Sequence, residues 1–157
     1  MVKCQSNPRL SSIKPHNAPV VLTQTDTTVG FVSQNHSKLS SIKSRPFSKP
    51  FITIYHSFSS LKVRVPNTQK NLVRRSKKTT FVIKDHAFRV DLSQKKSQIL
   101  RDLHWHYSTS ANEAGKSFKR DFCEDKADII IEDQNGLQEL SSSKLLKLNH
   151  KKIRSLR

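Results

Sequence analysis

Cysteine is scarce in this 157-residue chain, with only Cys4 and Cys123 present. Two cysteines so far apart supply neither a disulfide framework nor ligands at zinc spacing, so neither is expected. No apolar run approaches the ~20 residues a bilayer span needs, and no membrane partner is expected. The opening MVKCQSNPRLSSIKPHNAP has no apolar core of the secretory type. Its Ser, Lys and Arg without an acid match the composition of organellar transit peptides, but nothing else supports one, and cytoplasm is the expected compartment. There are three glycines, none of them in a Gly-x-x-x-x-Gly-Lys-Ser/Thr frame, which excludes a P-loop. No nucleophile–His–acid set emerges from the scattered histidines.

Acidic residues are the most telling shortage. Twelve Asp+Glu face 29 Lys+Arg, for a formal net charge of +17. None lies between Asp26 and Asp85, a stretch that carries Lys38, Lys43, Arg45, Lys49, Lys62, Arg64 and a further run to Lys84. Lys144, Lys147, Lys151, Lys152, Arg154 and Arg157 repeat the pattern at the end, while acids gather between Asp121 and Glu139. A surplus this large repels itself unless an anion offsets it, and clustered Lys and Arg bind phosphate by counterion release. A lysine-rich background composition is the blander reading.

The length fits one domain. Residues 1–18 read as a flexible lead-in and 19–157 as a single domain. Val20-Val21-Leu22 opens a strand, and Gln24 to Gly30 reads as a loop. A helix is expected from Asn35 to Lys43, closed by Pro46 and Pro50, and then a strand over Phe51–Tyr55. Asn67 suits the N-cap of a second short helix. Thr79–Lys84 and Ala87–Leu92 read as a hairpin turning at Asp85-His86, and Ser97–His104 as a helix. Ala127–Ile131 reads as a short buried strand, and Ser143–Leu148 as a last one. Helices alternating with strands around a hairpin predict an α/β (α+β) domain on a mixed sheet.

Three segments can carry chemistry. Lys43-Ser44-Arg45-Pro46-Phe47-Ser48-Lys49-Pro50 puts three cations at a helix end, with prolines fixing φ. The Arg fork and the Lys point charges suit phosphate, unless the segment is only an exposed, solvated basic loop. Ser108 to Lys116 reads as a small-residue loop after a strand, able to bond a phosphate or ribose, or else as a helix cap. Thr25–Gly30 is a polar turn after the first strand, where open α/β sheets bind ligands, or an ordinary turn. His104-Trp105-His106-Tyr107 can stack on a base or enter the core as a strand.

Taken in order, these segments resemble one family, the YrdC-like threonylcarbamoyl-adenylate synthases. Thr25 to Phe31 is similar to its PTDTVYGL segment, and Ile42 to Pro46 with Lys49-Pro50 to its IKGRP…KP segment. Phe88-Arg89-Val90 resembles its VAVRVP strand, Ser110 to Gly115 its SANxSG loop, and Ala127 to Ile130 its ADLIID strand. Ser143 with Leu145-Leu146 is similar to STVVD, and Ile153-Arg154 to the closing ILRxG. The resemblance covers about residues 20–157. Departures are concrete: Gln24 stands for a proline, Val29 for a tyrosine, Lys144 for a threonine and Asp91 for a proline. Residues 75–80 keep neither the proline nor the glycine of WPGPLT.

The resemblance implies a twisted open mixed sheet with flanking helices, enclosing a positive cavity. It implies synthesis of threonylcarbamoyl-AMP from threonine, bicarbonate and ATP, with pyrophosphate released, for t6A modification of tRNA. ATP would enter as a substrate with Mg2+, with no protein-held metal. By position, Lys43, Arg45 and Lys49 would hold ATP phosphates with Ser110, Asn112 and Arg154. Thr27, Arg89, Ser108 and Ser143 would bind threonine, Arg89 taking its carboxylate. A t6A-transfer machinery would be a partner. The alternative is a non-catalytic member that binds double-stranded RNA or tRNA through the same cavity. The alternation of a strand adds one independent expectation: Arg89 points away from Phe88 and Val90.

Overall fold

The computed structural model describes residues 12–44, 46, 48–92, 100 and 102–157. Runs of β-branched and aromatic residues form nine strands: β1 Val21–Gln24, β2 Val29–Ser33, β3 Ile52–Tyr55, β4 Thr79–Ile83, β5 His86–Val90, β6 Trp105–Ser110, β7 Ile129–Ile131, β8 Lys144–Leu148 and β9 Ile153–Ser155. They join one mixed, open sheet in the order β7-β1-β2-β6-β3-β5-β4-β8-β9. The pairings β1–β7, β3–β5 and β4–β8 are parallel and the others antiparallel. The helices are short: α1 His36–Ile42, α2 Lys70–Arg75 and α3 Arg120–Lys126. This is the expected α+β class. Among the described residues, β6 is the one strand that joins the β7-β1-β2 half of the sheet to the rest.

Alternation divides the side chains between two faces. On the back face, Leu22, Val29 and Phe31 pack with Leu39 of α1 and Cys123 of α3. Farther along the same face Tyr55, Phe81 and Phe88 pack with Val73 of α2 and Leu148. On the front face Val21 and Val32 meet Leu100 and Leu103. Burying a Leu or Phe side chain in this way contributes about 1.5–3 kcal/mol. Two packed back-face clusters therefore hold the sheet rigid, and the front face is free to carry polar groups.

Several local expectations change. β2 lies in a segment read as loop up to Gly30, and every residue of it is buried. Asn35 does cap α1, its Oδ1 accepting from Lys38 N at 3.0 Å. Asn67 does not cap α2: it starts a 3-10 turn after Pro66, because Pro66 already fixes the entry. The hairpin turns at Lys84-Asp85, one residue earlier than expected, since Ile83 pairs with His86 and Lys84 takes φ 55°. β7 is a half-exposed edge strand rather than a buried one, and β9 follows β8. Half of the expected helix over Ser97–His104 lies outside the described residues. Residues 15–17 form a 3-10 turn held to α1 by a hydrogen bond from Asn35 Nδ2 to His16 O.

Candidate functional site

The hairpin between β1 and β2 builds one wall of the site. The Thr25 hydroxyl accepts from Thr27 N at 3.3 Å and Thr28 N at 3.2 Å and donates to Thr28 O at 2.6 Å. This hydroxyl turn adds to the backbone bond from Thr25 N to Thr28 O at 3.1 Å and fixes where Asp26 and Thr27 project. Gly30 follows because the strands close tightly there. A Cβ at that position would stand 2.9 Å from Thr109 O and 3.0 Å from Thr25 Cγ2.

Arg89 rises from β5 between Phe88 and Val90, which are buried in the back-face cluster. It projects to the front face, as alternation requires, and is 6% exposed. Nη2 donates to Thr80 Oγ1 at 2.9 Å, across the β4–β5 pairing. Nη1 donates to Thr27 Oγ1 at 3.3 Å and to the Asp26 carboxylate. Nε is buried without a hydrogen-bond partner. Thr80 Oγ1 in turn lies 2.9 Å from Ser143 Oγ. The guanidinium is therefore a buried cation already facing a carboxylate, with its Nε–H unpaired.

Around it opens a front-face cavity of about 300 Å³, within the size range of small-molecule sites. Thr27, Arg89, Ser108 and Ser143 all line it, together with Ser110 and Arg157. The four residues assigned by resemblance to threonine thus converge, drawn from the β1–β2 hairpin, β5, β6 and the entry to β8. Ser108 and Ser110 lie in β6 rather than in a loop, and strand alternation points both to the front.

The residues assigned to ATP divide differently. Lys43 is 9% exposed at the end of α1, not an exposed loop cation. Its Nζ donates to Ser110 O at 3.1 Å, Asn112 O at 2.6 Å and Asn112 Oδ1 at 2.7 Å. Ser110 Oγ also donates to Asn112 Oδ1 at 2.6 Å. Lys43, Ser110 and Asn112 are thus brought together, with the ammonium holding the turn after β6. Lys49 is exposed beside Pro50, and Pro50 lines the cavity. Arg154 sits exposed on edge strand β9 and does not line the cavity, whereas Arg157 does and donates to Ser143 O at 3.0 Å. Arg45 lies outside the described residues. Asp26 and Arg157 went unassigned in the sequence. The signal for Asp26 was its position as the last acid before an acid-free stretch.

No protein-family model matches the sequence, and a search of curated proteins returns no match. Solved structures do match. Sua5 of P. abyssi superposes with a TM-score of 0.69 at 20% identity, over 88% of this chain and 52% of that one. The same protein complexed with L-threonine gives 0.66 at 18% identity, over 88% and 50%. The fold is that of Sua5 and YrdC. E. coli YciO shares this Sua5/YrdC fold at a TM-score of 0.67 and 16% identity, over 91% of this chain and 84% of that one. The chain spans about half the length of Sua5.

Among the described residues no helix is long and apolar enough to cross a membrane. No group of three His, Cys, Asp or Glu among them is placed to hold a metal ion. Burial pushes the Cys123 thiol above its ordinary pKa, so at neutral pH it stays a thiol donating to Ala111 O.

Proposed function

We propose that the front-face cavity binds threonine, and that the protein condenses it with bicarbonate and ATP to threonylcarbamoyl-AMP and pyrophosphate in support of tRNA t6A formation. The observation that carries this reading is the convergence of Thr27, Arg89, Ser108 and Ser143 on one cavity. The Sua5/YrdC fold and the L-threonine in a Sua5 structure support it. Arg89 receives the amino-acid carboxylate in place of Asp26, a charge-assisted exchange of one carboxylate for another. Asp26, once released, is the carboxylate at hand for the threonine ammonium. Ser108, Ser110 and Ser143 orient the carbamate oxygen toward the α-phosphorus of ATP. The rate gain comes from positioning and from charge neutralisation rather than from a catalytic dyad. Lys49, Arg45 and Arg157 offset the charge of the departing pyrophosphate, with magnesium arriving on ATP.

The test is incubation with ATP, bicarbonate and threonine, following pyrophosphate and the adenylate. Threonine-dependent release of both supports the reading, and no release above the blank overturns it. One observation favours the non-catalytic RNA-binding alternative: the three donors of the Lys43 ammonium meet three protein acceptors. If Lys43 keeps these bonds, the phosphate cradle is weaker than the family pattern implies. Inactivity together with tight binding to tRNA or double-stranded RNA would establish that alternative.

A further inference from the structure

A second groove, of about 450 Å³, opens on the back face of the sheet. It lies where the two back-face clusters part: Tyr107 packs against the α1–α3 cluster and Trp105 against the α2 cluster. Both rings are half-buried and edge-on to one another, 5.2 Å between centroids. Lys62 and Arg64 form one wall, and Lys84 and His86 of the β4–β5 hairpin form the other. All four are exposed, and no acid lines the groove. The neighbouring charge of opposite sign is Asp85, exposed at the hairpin tip. Lys62 Nζ rests 5.1 Å from the Trp105 ring centroid.

We propose that this groove binds an unpaired nucleotide of a single-stranded RNA segment. The base stacks on the face of the Trp105 ring, with the near-perpendicular Tyr107 ring beside it, and the flanking phosphates lie on Lys62, Arg64 and Lys84. Stacking rings between rows of cations are what single strands need: every base has a π-face, and the backbone supplies the anions. A duplex keeps its base faces stacked inside and has none to offer a recessed ring. Lys62 leaves the indole for a phosphate as the base arrives. The groove is on the opposite side of the sheet from the Arg89 cavity, so this binding does not depend on the adenylate reading and is assayed without ATP or threonine.

Trp105 is the only tryptophan in the chain, so its emission reports directly on the groove. The experiment titrates the full-length protein with a 12-nucleotide single-stranded RNA and with the matching duplex, following indole emission and the anisotropy of an end label. The expected result is quenching by the single strand, with log K falling against log salt at a slope of about −2 for three phosphate contacts. The double variant Lys62→Glu/Arg64→Glu, changed only at exposed positions, should weaken binding about tenfold or more and flatten that slope. Trp105→Leu should cost on the order of tenfold in affinity by anisotropy. Saturating RNA binding with unchanged tryptophan emission overturns the proposal. So does a preference for the duplex, or unchanged affinity in the folded double variant.

Discussion

Replacing Arg89 by alanine tests whether a cation at this site is structural as well as ligand-binding. Its side chain is 7% exposed and that of its partner Asp26 is 21% exposed. Removing one member of a buried pair costs about 3–5 kcal/mol, because the other charge is left uncompensated. Here Asp26 keeps access to water, so the lower end, about 3 kcal/mol, applies. Thr27 and Thr80 also lose a donor, but their hydroxyls have other partners in Thr25 and Ser143. For a domain of this size each kcal/mol lowers Tm by about 2–4 °C, giving a fall of about 6–12 °C. Asp26→Asn keeps an acceptor but leaves the more deeply buried Arg89 cation without its carboxylate, so it should cost a comparable ~3 kcal/mol. The double variant should fall short of the sum by about 1–3 kcal/mol, since the two residues share one interaction. Urea and thermal denaturation of all four proteins measure the cycle. Arg89→Ala within about 0.5 kcal/mol of wild type would refute the argument, because that is how an arginine on a solvated sheet face behaves. Strict additivity would refute it equally.

Four further outcomes are expected. Gly30→Ala should lower the urea midpoint by the equivalent of about 1–3 kcal/mol, because its Cβ meets the Thr109 carbonyl, which belongs to the sheet and has little room to give. Lys43→Ala should destabilise by about 1–3 kcal/mol by removing the ammonium bonds to Ser110 O, Asn112 O and Asn112 Oδ1 that hold the turn after β6. An unchanged urea midpoint would return Lys43 to a pure ligand role. The Arg120 guanidinium holds the Glu132 carboxyl below its ordinary pKa, so its contribution is present above the unfolded pKa of about 4.3 and lost on acidification through the lower folded value. Wild type should lose more stability than Glu132→Gln between pH 6 and 3, followed by urea midpoints. In a Cys4→Ser background, a thiol reagent should react with Cys123 slowly in the native protein and rapidly in urea, since the thiol is buried.

What could be read in the sequence followed local rules, and what could not followed tertiary ones. Period-two alternation placed the β4–β5 hairpin and the front-facing direction of Arg89. The helix from Asn35 to Lys43 was legible because it is bounded locally, by Pro46 and Pro50 after its end. β2 was missed because Gly30 in a polar run signals a turn, and only the approach of β6 shows why a glycine sits inside a buried strand. α3 was missed because Asp121, Glu124 and Asp125 read as an acid cluster, although Arg120 and Glu124 form a local i,i+4 pair; the second tie of Arg120, to Glu132, lies beyond the helix. Lys43 looked like a phosphate ligand at a helix end, and the carbonyls that hold it come from the last residue of β6 and the turn after it. The residues assigned to threonine came from ordered motif resemblance, and their meeting in one cavity required the sheet order.

The central place of β6 has a consequence for how the chain folds. The strands on either side of it, β2 and β3, are next to one another in sequence yet never pair. The β7-β1-β2 half also waits for β7, which lies more than a hundred residues after its partner β1. Such long-range pairings close slowly, because loop entropy is lost before contacts form. During synthesis β1 to β5 emerge first, as two fragments with open edges, and an unpaired edge is a site for wrong pairing. Folding should therefore show a late step as β6 inserts between them. The Arg89 cavity draws its walls from strands on each side of β6, and the back-face groove is lined by Trp105 and Tyr107 of β6 itself, so neither exists before that insertion. Gain of ligand binding should coincide with the slowest refolding phase.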